Sequence, residues 1–490
     1  MSASDRADFA VLQQRLGPAW AANRVGSEVP HVMVVLPSYS VAETLLEHYG
    51  ERIAPLEHRY LVACLCLPRY PNCEMVFVTC QDPGPEVFDH YFGLLPAEER
   101  DSARRRFRLL VVDDPTPRPV ARKLLERADL LGELRSSIGD RLAHIEPWNV
   151  GPDEVQLALA LNLPLYGTAP ELWPLGYKSA GRRLLAQAGV PVPFGVEDVR
   201  TVEQAVAAAE TIRRHRPGAT AVVIKHDDSG SGDGNQLIDL AGLEADPATA
   251  RAAIRARIQA LPQWYLETLA AGAVVEERIQ GEAFASPSVQ INIEPSGEIV
   301  IWSAHEQVLG GEAGQTYSGC RFPADPGYAG ELARHGVAIG EVLREHGVLG
   351  RLGIDFVATG APAGWSLHAL EINLRKGGTS HPFAVLRHLV RGSYDPETGT
   401  LRAPGGGRAK YFCASDNIVD AAWKGLAPGA VIAAVDAAGL AFDHDRGTGV
   451  VLHMLSCLAI DGRFGLTAIG DSPEEAAALY ERTASVVPAG

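Results

Sequence analysis

The sequence predicts an α/β protein of more than one domain, and three observations carry that prediction. At 490 residues the chain exceeds what one hydrophobic core ordinarily organises, so two or three domains are expected. Short apolar runs alternate with helix-like stretches through the first third of the chain. A second series of strands and helices, starting near Tyr177, ends in two strands in which polar and apolar residues alternate. With 46% hydrophobic and 21% charged residues, the composition is that of a globular protein.

The run HVMVVLPS at 31–38 reads as a buried strand ending in a Pro/Ser turn, and 41–53 reads as a helix. Further strands are expected at 75–79 and 109–112, a helix over 121–134, and an apolar pair of elements over 156–165. Together they suggest a doubly wound unit over about 28–170. It contains neither a P-loop nor a Gly-x-Gly-x-x-Gly opening a helix, so it is not expected to hold a nucleotide in the Rossmann manner. Beyond it, 179–188 reads as a helix stopped by Gly189, and 201–214 as a second helix. Strands are expected at 221–225, 273–277, 288–293 and 298–302, then a helix over 328–346 and strands at 351–358 and 366–375. Residues 401–408 read as a Pro/Gly-rich link and 450–460 as core. Ser472-Pro473-Glu474-Glu475 has the form of a capping box, starting a helix that runs to about Val486.

Charge and apolar runs narrow the function. There is no apolar run of about 18 residues or more, and 1–9 are polar and acidic rather than basic then apolar, so a cytoplasmic protein is expected. A formal charge of −16 argues against nucleic acid or an anionic membrane as the main partner. Any phosphate site must therefore be built locally. Cys64, Cys66, Cys73 and Cys80 fall close together but lack the paired C-x₂₋₄-C spacing of a zinc site, and with Cys320, Cys413 and Cys457 they read as reduced cysteines.

The chemistry concentrates between 351 and 382. Around a turn at 359–364, GIDFV at 353–357 can pair with LEINLR at 370–375, which puts Glu371, Asn373 and Arg375 on one face with Asp355 projecting to it. Two carboxylates and an amide oxygen on rigid strands suit Mg²⁺; the plainer alternative is a solvent-facing strand with an ion pair to Arg375. Arg375 could neutralise charge on a transferred phosphoryl group. Lys225 ends an apolar strand just before the glycine-rich segment holding Ser229, Gly230, Ser231 and Gly232, where backbone N–H groups can approach phosphate; such segments are also common connections. Lys178 opens a helix, as a phosphate ligand or a solvated lysine. Glu276 and Glu277 end a strand whose continuation can show backbone groups to an adenine edge, with Glu282 for ribose hydroxyls, or they are ordinary linker charges. The loop 310–319 with Tyr317 and Arg321, and His305 alternating with Gln307, are candidates for substrate contacts beside the surface-loop or packed-histidine alternatives.

This order of motifs, a lysine-opened helix, a strand-lysine-glycine loop, VVEERIQG, then I-D-F and E-I-N-L-R, resembles the ATP-grasp superfamily over about 170–382. D-alanine ligase, biotin carboxylase and related carboxylate–amine ligases share the pattern. The resemblance implies that Lys178 and Lys225 reach phosphates, with Lys225 and Arg375 catalytic. It puts Glu276 and Ile279 at the adenine linker and Glu282 near the ribose position, offset by one. It makes Asp355, Glu371 and Asn373 the Mg²⁺ ligands. Over the whole length, including 314–323 and GDSPEEAAALYERT, the chain is most similar to pheganomycin-type peptide ligases. That likeness implies an ATP-grasp fold, two α+β lobes clamping ATP, behind a Rossmann-like pre-ATP-grasp domain. The implied boundaries are 1–170 for that domain, 171–282 for a central lobe with a glycine-rich lid, and 283–490 for a C-terminal lobe with the metal site and an extension. The implied reaction uses ATP and Mg²⁺ to activate a carboxylic acid, an N-capped or non-proteinogenic amino acid, as an acyl phosphate. The donor is joined to the amino end of a peptide or amino acid, releasing ADP and phosphate, in antibiotic biosynthesis and by a homodimer. Two departures stand out: the glycine segment is acidic, and Gly353 replaces an arginine two residues before the metal aspartate, so Arg351 is expected to reach round. An ATP-grasp phosphotransferase acting on a hydroxyl and a non-catalytic ATP-binding scaffold are the alternatives.

Overall fold

The computed structural model describes residues 1–229, 234–244, 246–310, 316–360 and 364–488. The first sheet contains β1 (His31–Leu36), β2 (Cys73–Thr79), β3 (Phe107–Val111) and β4 (Leu142–Pro147), in the order β3-β2-β1-β4 with every pair parallel. Parallel pairing needs crossovers, and the helical patterns between the strands supply them. Two helices expected as single pieces are broken. The first ends at Gly50, at φ 52°, before the chain resumes in Ile53–His58. The second divides into Val120–Leu125 and Ala128–Ile138. Arg127 between them leaves helical geometry and gives its guanidinium to the Val112 carbonyl at 2.9 Å and to Asp129. Cys64, Cys66, Cys73 and Cys80 are buried free thiols within this core.

The second sheet is antiparallel, with β5 (Gly195–Val199), β6 (Ala221–His226), β7 (Asn235–Asp239) and β8 (Ala273–Glu277) in the order β5-β8-β6-β7. Val206 and Ile212 from one helix and Ile254 and Ile258 from another share a core with Val222 and Ile224 of β6.

Among the described residues the third sheet has eleven strands. They are β9 (Phe284–Ala285), β10 (Pro287–Ile293), β11 (Ile299–Gly310), β12 (Thr316–Phe322), β13 (Gly350–Thr359), β14 (Ser366–Asn373), β15 (Ser393–Asp395), β16 (Thr400–Arg402), β17 (Ala409–Val419), β18 (Gly449–His453) and β19 (Arg463–Gly470). Its path runs β14-β13-β10-β11-β12-β17-β16-β15, with β18 and β19 joined through β17. The helix Ala329–Glu345 lays Leu332, Ile339 and Leu343 over Val289 and Ile291 of β10. The link expected at 401–408 supplies part of β16 and a short 3₁₀ turn. At the last helix, Ser472 Oγ accepts from the Glu475 amide at 3.2 Å, while the Glu475 carboxylate takes the Asp471 amide at 2.7 Å and leaves the box open.

The core of the first sheet continues without a break into that of β17–β19 and α-helical neighbours. His90 bonds the Leu452 carbonyl at 3.1 Å, and His58 bonds Ser456 at 3.0 Å. In this shared core Glu57 is fully buried, accepting from Thr79 Oγ1 at 2.8 Å and the Cys80 amide at 2.7 Å while its second oxygen has no partner among the described residues. Burial pushes its carboxyl up to about 7. A folded-state value raised above the unfolded one means the native state holds the extra proton. The stabilisation is complete below the usual carboxylate range and is lost as pH rises towards about 7. Glu57→Gln is therefore predicted to gain roughly 3 kcal/mol over the parent chain above neutral pH and to flatten this limb. Denaturant midpoints measured across the range check it; parallel pH curves for the two proteins would contradict it.

Candidate active site

The β10–β13–β14 ladder sets the site. Ser288, Asp355 and Glu371 stand directly opposite one another in register, and direct opposition puts side chains on one face. Asn373, two residues beyond Glu371, pairs with Gly353 and joins that face. Asp355 accepts from Asn373 Nδ2 at 2.9 Å and from Gln307 Nε2 of β11 at 2.6 Å. Gly353 answers the missing arginine: a Cβ there would lie 2.5 Å from Gln290 Nε2, so the position is taken by the neighbouring strand's amide.

Lys178 opens the helix Lys178–Gln187, and its ammonium forms an ion pair with Glu371 and donates to the Ser229 carbonyl at 3.2 Å. Asp227 holds the start of that helix, accepting from Ser179 N at 2.8 Å and Oγ at 2.7 Å. Burial and the adjacent Glu371 raise the Asp355 carboxyl. Burial works the same way on Glu371, but Lys178, with Lys225 and Arg375 behind it, holds Glu371 below the usual carboxylate range. The two carboxylates are thus pushed apart, as expected of acids that share a site.

Lys225, at the end of β6, forms an ion pair with Glu276 of β8; Glu276 also accepts from Arg182 at 2.9 Å and is 2% exposed. Its side chain is committed to Lys225 and Arg182, whereas the adenine contact expected at this strand end is one of backbone groups. Glu277 is likewise engaged, by the Phe194 amide at 2.7 Å and by Arg216. Ile279, Gln280 and Gly281 follow along the wall.

Lys225, Glu276, Asp355, Glu371 and Asn373 line a cavity of about 920 Å³ that reaches well beyond them, with Lys178 behind its wall on Glu371. Arg375 lies on its wall, with Nη1 3.3 Å from Asn373 Oδ1 and its guanidinium 5.4 Å from the Trp148 ring centroid. The next residue, Lys376, binds Glu146 at 2.5 Å and the Pro147 carbonyl at 2.7 Å, pinning the hairpin's end to β4. The far wall comes from Arg52, Arg59, Tyr317, Thr379, Asp416, Asn417, Met454 and Arg463. Apart from Tyr317, sequence reasoning missed them. Two of the eight precede β2 and four follow residue 415, and the one local sign was SDN interrupting an apolar strand.

Of the other candidates, Ser229 donates to the His226 carbonyl at 2.8 Å, and Gly230, Ser231 and Gly232 lie outside the described residues. Glu282 is exposed just past the cavity wall. His305 shares the polar face but is buried under its neighbours, and that burial pushes its imidazole down to about 3. A bulge between Val308 and Leu309 decides the fate of the 310–321 candidates. It sets Tyr317 opposite Leu309, on the cavity face, and leaves Arg321 opposite Glu306, on the other. Arg351 does not reach round; its guanidinium lies 3.8 Å from the Trp302 ring centroid.

The chain is 33% identical over 430 residues to the L-propargylglycine–L-glutamate ligase of Streptantibioticus cattleyicolor, spanning 86% of this chain and 87% of that protein. It is 23% identical over 398 residues to IQ motif-containing protein H of Danio rerio, covering 69% of this chain but 37% of that one. Residues 249–395 match the family described as IQCH-like, ATP-grasp, and residues 430–483 the PGM1 C-terminal domain. Among solved structures, the biotin carboxylase domain of Hydrogenobacter thermophilus 2-oxoglutarate carboxylase, a dimer in complex with MgADP, ADP and bicarbonate, is similar at TM-score 0.55 and 12% identity, over 94% of this chain and 91% of that one. The Campylobacter jejuni biotin carboxylase–βγ-ATP complex is similar at TM-score 0.54 and 12% identity, over 94% and 92%. The fold is ATP-grasp. The chain belongs to the family of ATP-dependent amino-acid ligases that includes the L-propargylglycine–L-glutamate enzyme, and is a ligase forming C–N bonds. Among the described residues no helix is long and apolar enough to cross a membrane.

Arg375 makes one long hydrogen bond and a ring contact, so its removal is predicted to spare the fold and cost turnover. In Arg375→Met, kcat is expected to fall by about 10²–10³ with a nearly unchanged thermal midpoint. Steady-state ADP release and a melting curve on one preparation check this; unchanged kcat would remove Arg375 from the chemistry.

Proposed function

We propose that this chain activates an amino-acid carboxylate with ATP as an acyl phosphate and passes it to the amine of a second amino acid or a short peptide. The observation that carries this reading is the row of Asp355, Glu371 and Asn373, closed by Lys178, in a cavity whose other end carries Arg52, Arg59 and Arg463. One end has a hard oxygen set and phosphate-reaching lysines; the other has cationic donors for the carboxylates of amino-acid substrates. The Streptantibioticus cattleyicolor relative, named for joining propargylglycine to glutamate, supports the same substrate class.

The residues fit Mg²⁺ by the chemistry of their donors: two carboxylates and an amide oxygen with no soft ligand among them. Bound there, Mg²⁺ supplies positive charge to the phosphate oxygens of the nucleotide. Lys178 and Lys225 orient those phosphates, with Glu276 and Arg182 fixing Lys225 so that little side-chain freedom remains to be lost. The strand end Ile279–Gly281 borders the cavity where a base edge can lie against backbone. Arg375 stabilises charge on the phosphoryl group as it leaves ADP for the donor carboxylate. The amine then attacks the acyl carbon, phosphate leaves, and the amine proton is released.

Hydroxylamine intercepts acyl phosphates without a known acceptor. With ATP, Mg²⁺ and a panel of proteinogenic, alkynyl and N-amidino amino acids, acid-dependent hydroxamate is expected together with ADP, and is lost in Glu371→Gln. ADP formed alongside a phosphorylated hydroxyl compound, with no hydroxamate from any acid, would replace the ligase chemistry by phosphotransfer.

A further inference from the structure

The far end of the cavity holds a cluster that ligation as described does not use. His381 comes from the first turn of the helix Ser380–Val390, Asp416 from β17 and His453 from the end of β18. Their donor atoms converge: His381 Nε2 to Asp416 Oδ1 is 3.0 Å, His453 Nε2 to the same oxygen is 2.7 Å, and the two Nε2 atoms are 3.2 Å apart. We propose that His381, Asp416 and His453 form a second metal site, for a zinc-class divalent ion, distinct from the oxygen-only site at Asp355, Glu371 and Asn373.

Three observations carry this. Four ligands at about 2.0–2.1 Å around zinc are separated by about 3.3 Å, and this triangle is one slightly contracted face of such a tetrahedron. As a mere hydrogen-bonding cluster, two N–H donors would converge on the same oxygen with their nitrogens only 3.2 Å apart, which crowds their hydrogens. The ring planes stand at 80° with centroids 4.7 Å apart, so that two in-plane lone pairs can meet without the rings stacking. The room for this is built into the sheet. Gly465 stands opposite His453 on β19, and a Cβ there would fall 2.2 Å from His453 Nε2.

Both imidazoles are buried, and neither Nδ1 has a hydrogen-bond partner among the described residues. Arg59 takes the other oxygen of Asp416 and is itself held over the rings of Tyr39 and Tyr60, which fixes the carboxylate from outside as partners of metal ligands do. Of the three ligands only Asp416 lines the cavity, so the fourth position opens on that side. With the Arg59 charge adjacent, the favoured fourth ligand is an anion such as a substrate carboxylate. Two imidazoles select zinc over magnesium, which prefers an all-oxygen shell.

The test uses the untagged full chain, dialysed against zinc and then metal-free buffer, with metal analysis and cobalt absorption spectra. About one zinc per chain is expected, together with the visible d–d absorption of four-coordinate cobalt. Zinc affinity should fall at least about tenfold in His453→Gln and in Asp416→Asn, and stay unchanged in Glu371→Gln, which separates this site from the magnesium site. Zinc should also raise the thermal midpoint of the parent chain, a readout that needs no variant to fold. Loss of all zinc on dialysis with no shift in midpoint, or equal zinc retention in His453→Gln, overturns the proposal.

Discussion

Lys178 and Glu371 lie 193 residues apart in the chain, and their ion pair joins the helix beside the second sheet to the polar hairpin of the third. Neither group tolerates its position without the other. A lysine ammonium at 7% exposure and a carboxylate beside Asp355 each need an opposite charge, because burying an unpaired ion costs far more than a hydrogen bond returns. The pair therefore fixes where the helix starts, and Asp227 holds the same helix from the other side. Nucleotide phosphates and a divalent cation would meet these two charges as separate partners, Lys178 for the anion and Glu371 for the cation. The contact keeps both side chains in place until then.

The same logic recurs around the cavity. Lys225 is held by Glu276, which Arg182 shares, and Arg182 is fixed in turn by Glu197 at 2.8 Å. Lys376 carries the end of the hairpin to Glu146 on the first sheet, which brings Trp148 beside Arg375. Arg59 does so from the opposite direction, reaching Asp416 on β17. The first sheet thus contributes charge and aromatic surface to the cavity although it has no phosphate-binding loop. A chain with formal charge −16 gives an anionic nucleotide no long-range attraction, so an attraction for phosphate would have to come from local lysines and arginines such as these.

Periodicity in the sequence reveals those parts of the structure whose pattern is local. β1 and β6 are apolar runs and β10 alternates polar with apolar residues; all three appear where those patterns are, and the helix Ala329–Glu345 follows its 3.6-residue pattern. Strand alternation likewise brings Asp355, Glu371 and Asn373 to one face. Breaks decided by distant contacts are not legible: Arg127 ends a helix because its guanidinium finds the Val112 carbonyl. Nor is a bulge, and one extra residue at Ser318 separates Tyr317 from Arg321. His305 shows the remaining gap, since alternation gives the face of a residue but not what covers it. Asp416 and Arg59 approach each other across 357 residues, with no spacing to announce them.

In the proposed acyl-phosphate route, one carboxylate oxygen of the donor amino acid leaves with the phosphate. Donor labelled with ¹⁸O in its carboxylate, turned over with ATP, Mg²⁺ and an accepting amino acid, tests this directly by mass spectrometry of the released phosphate. One ¹⁸O per phosphate and one in the amide carbonyl are expected. Unlabelled phosphate, with the label kept in the amide or transferred to a nucleotide monophosphate, would contradict it.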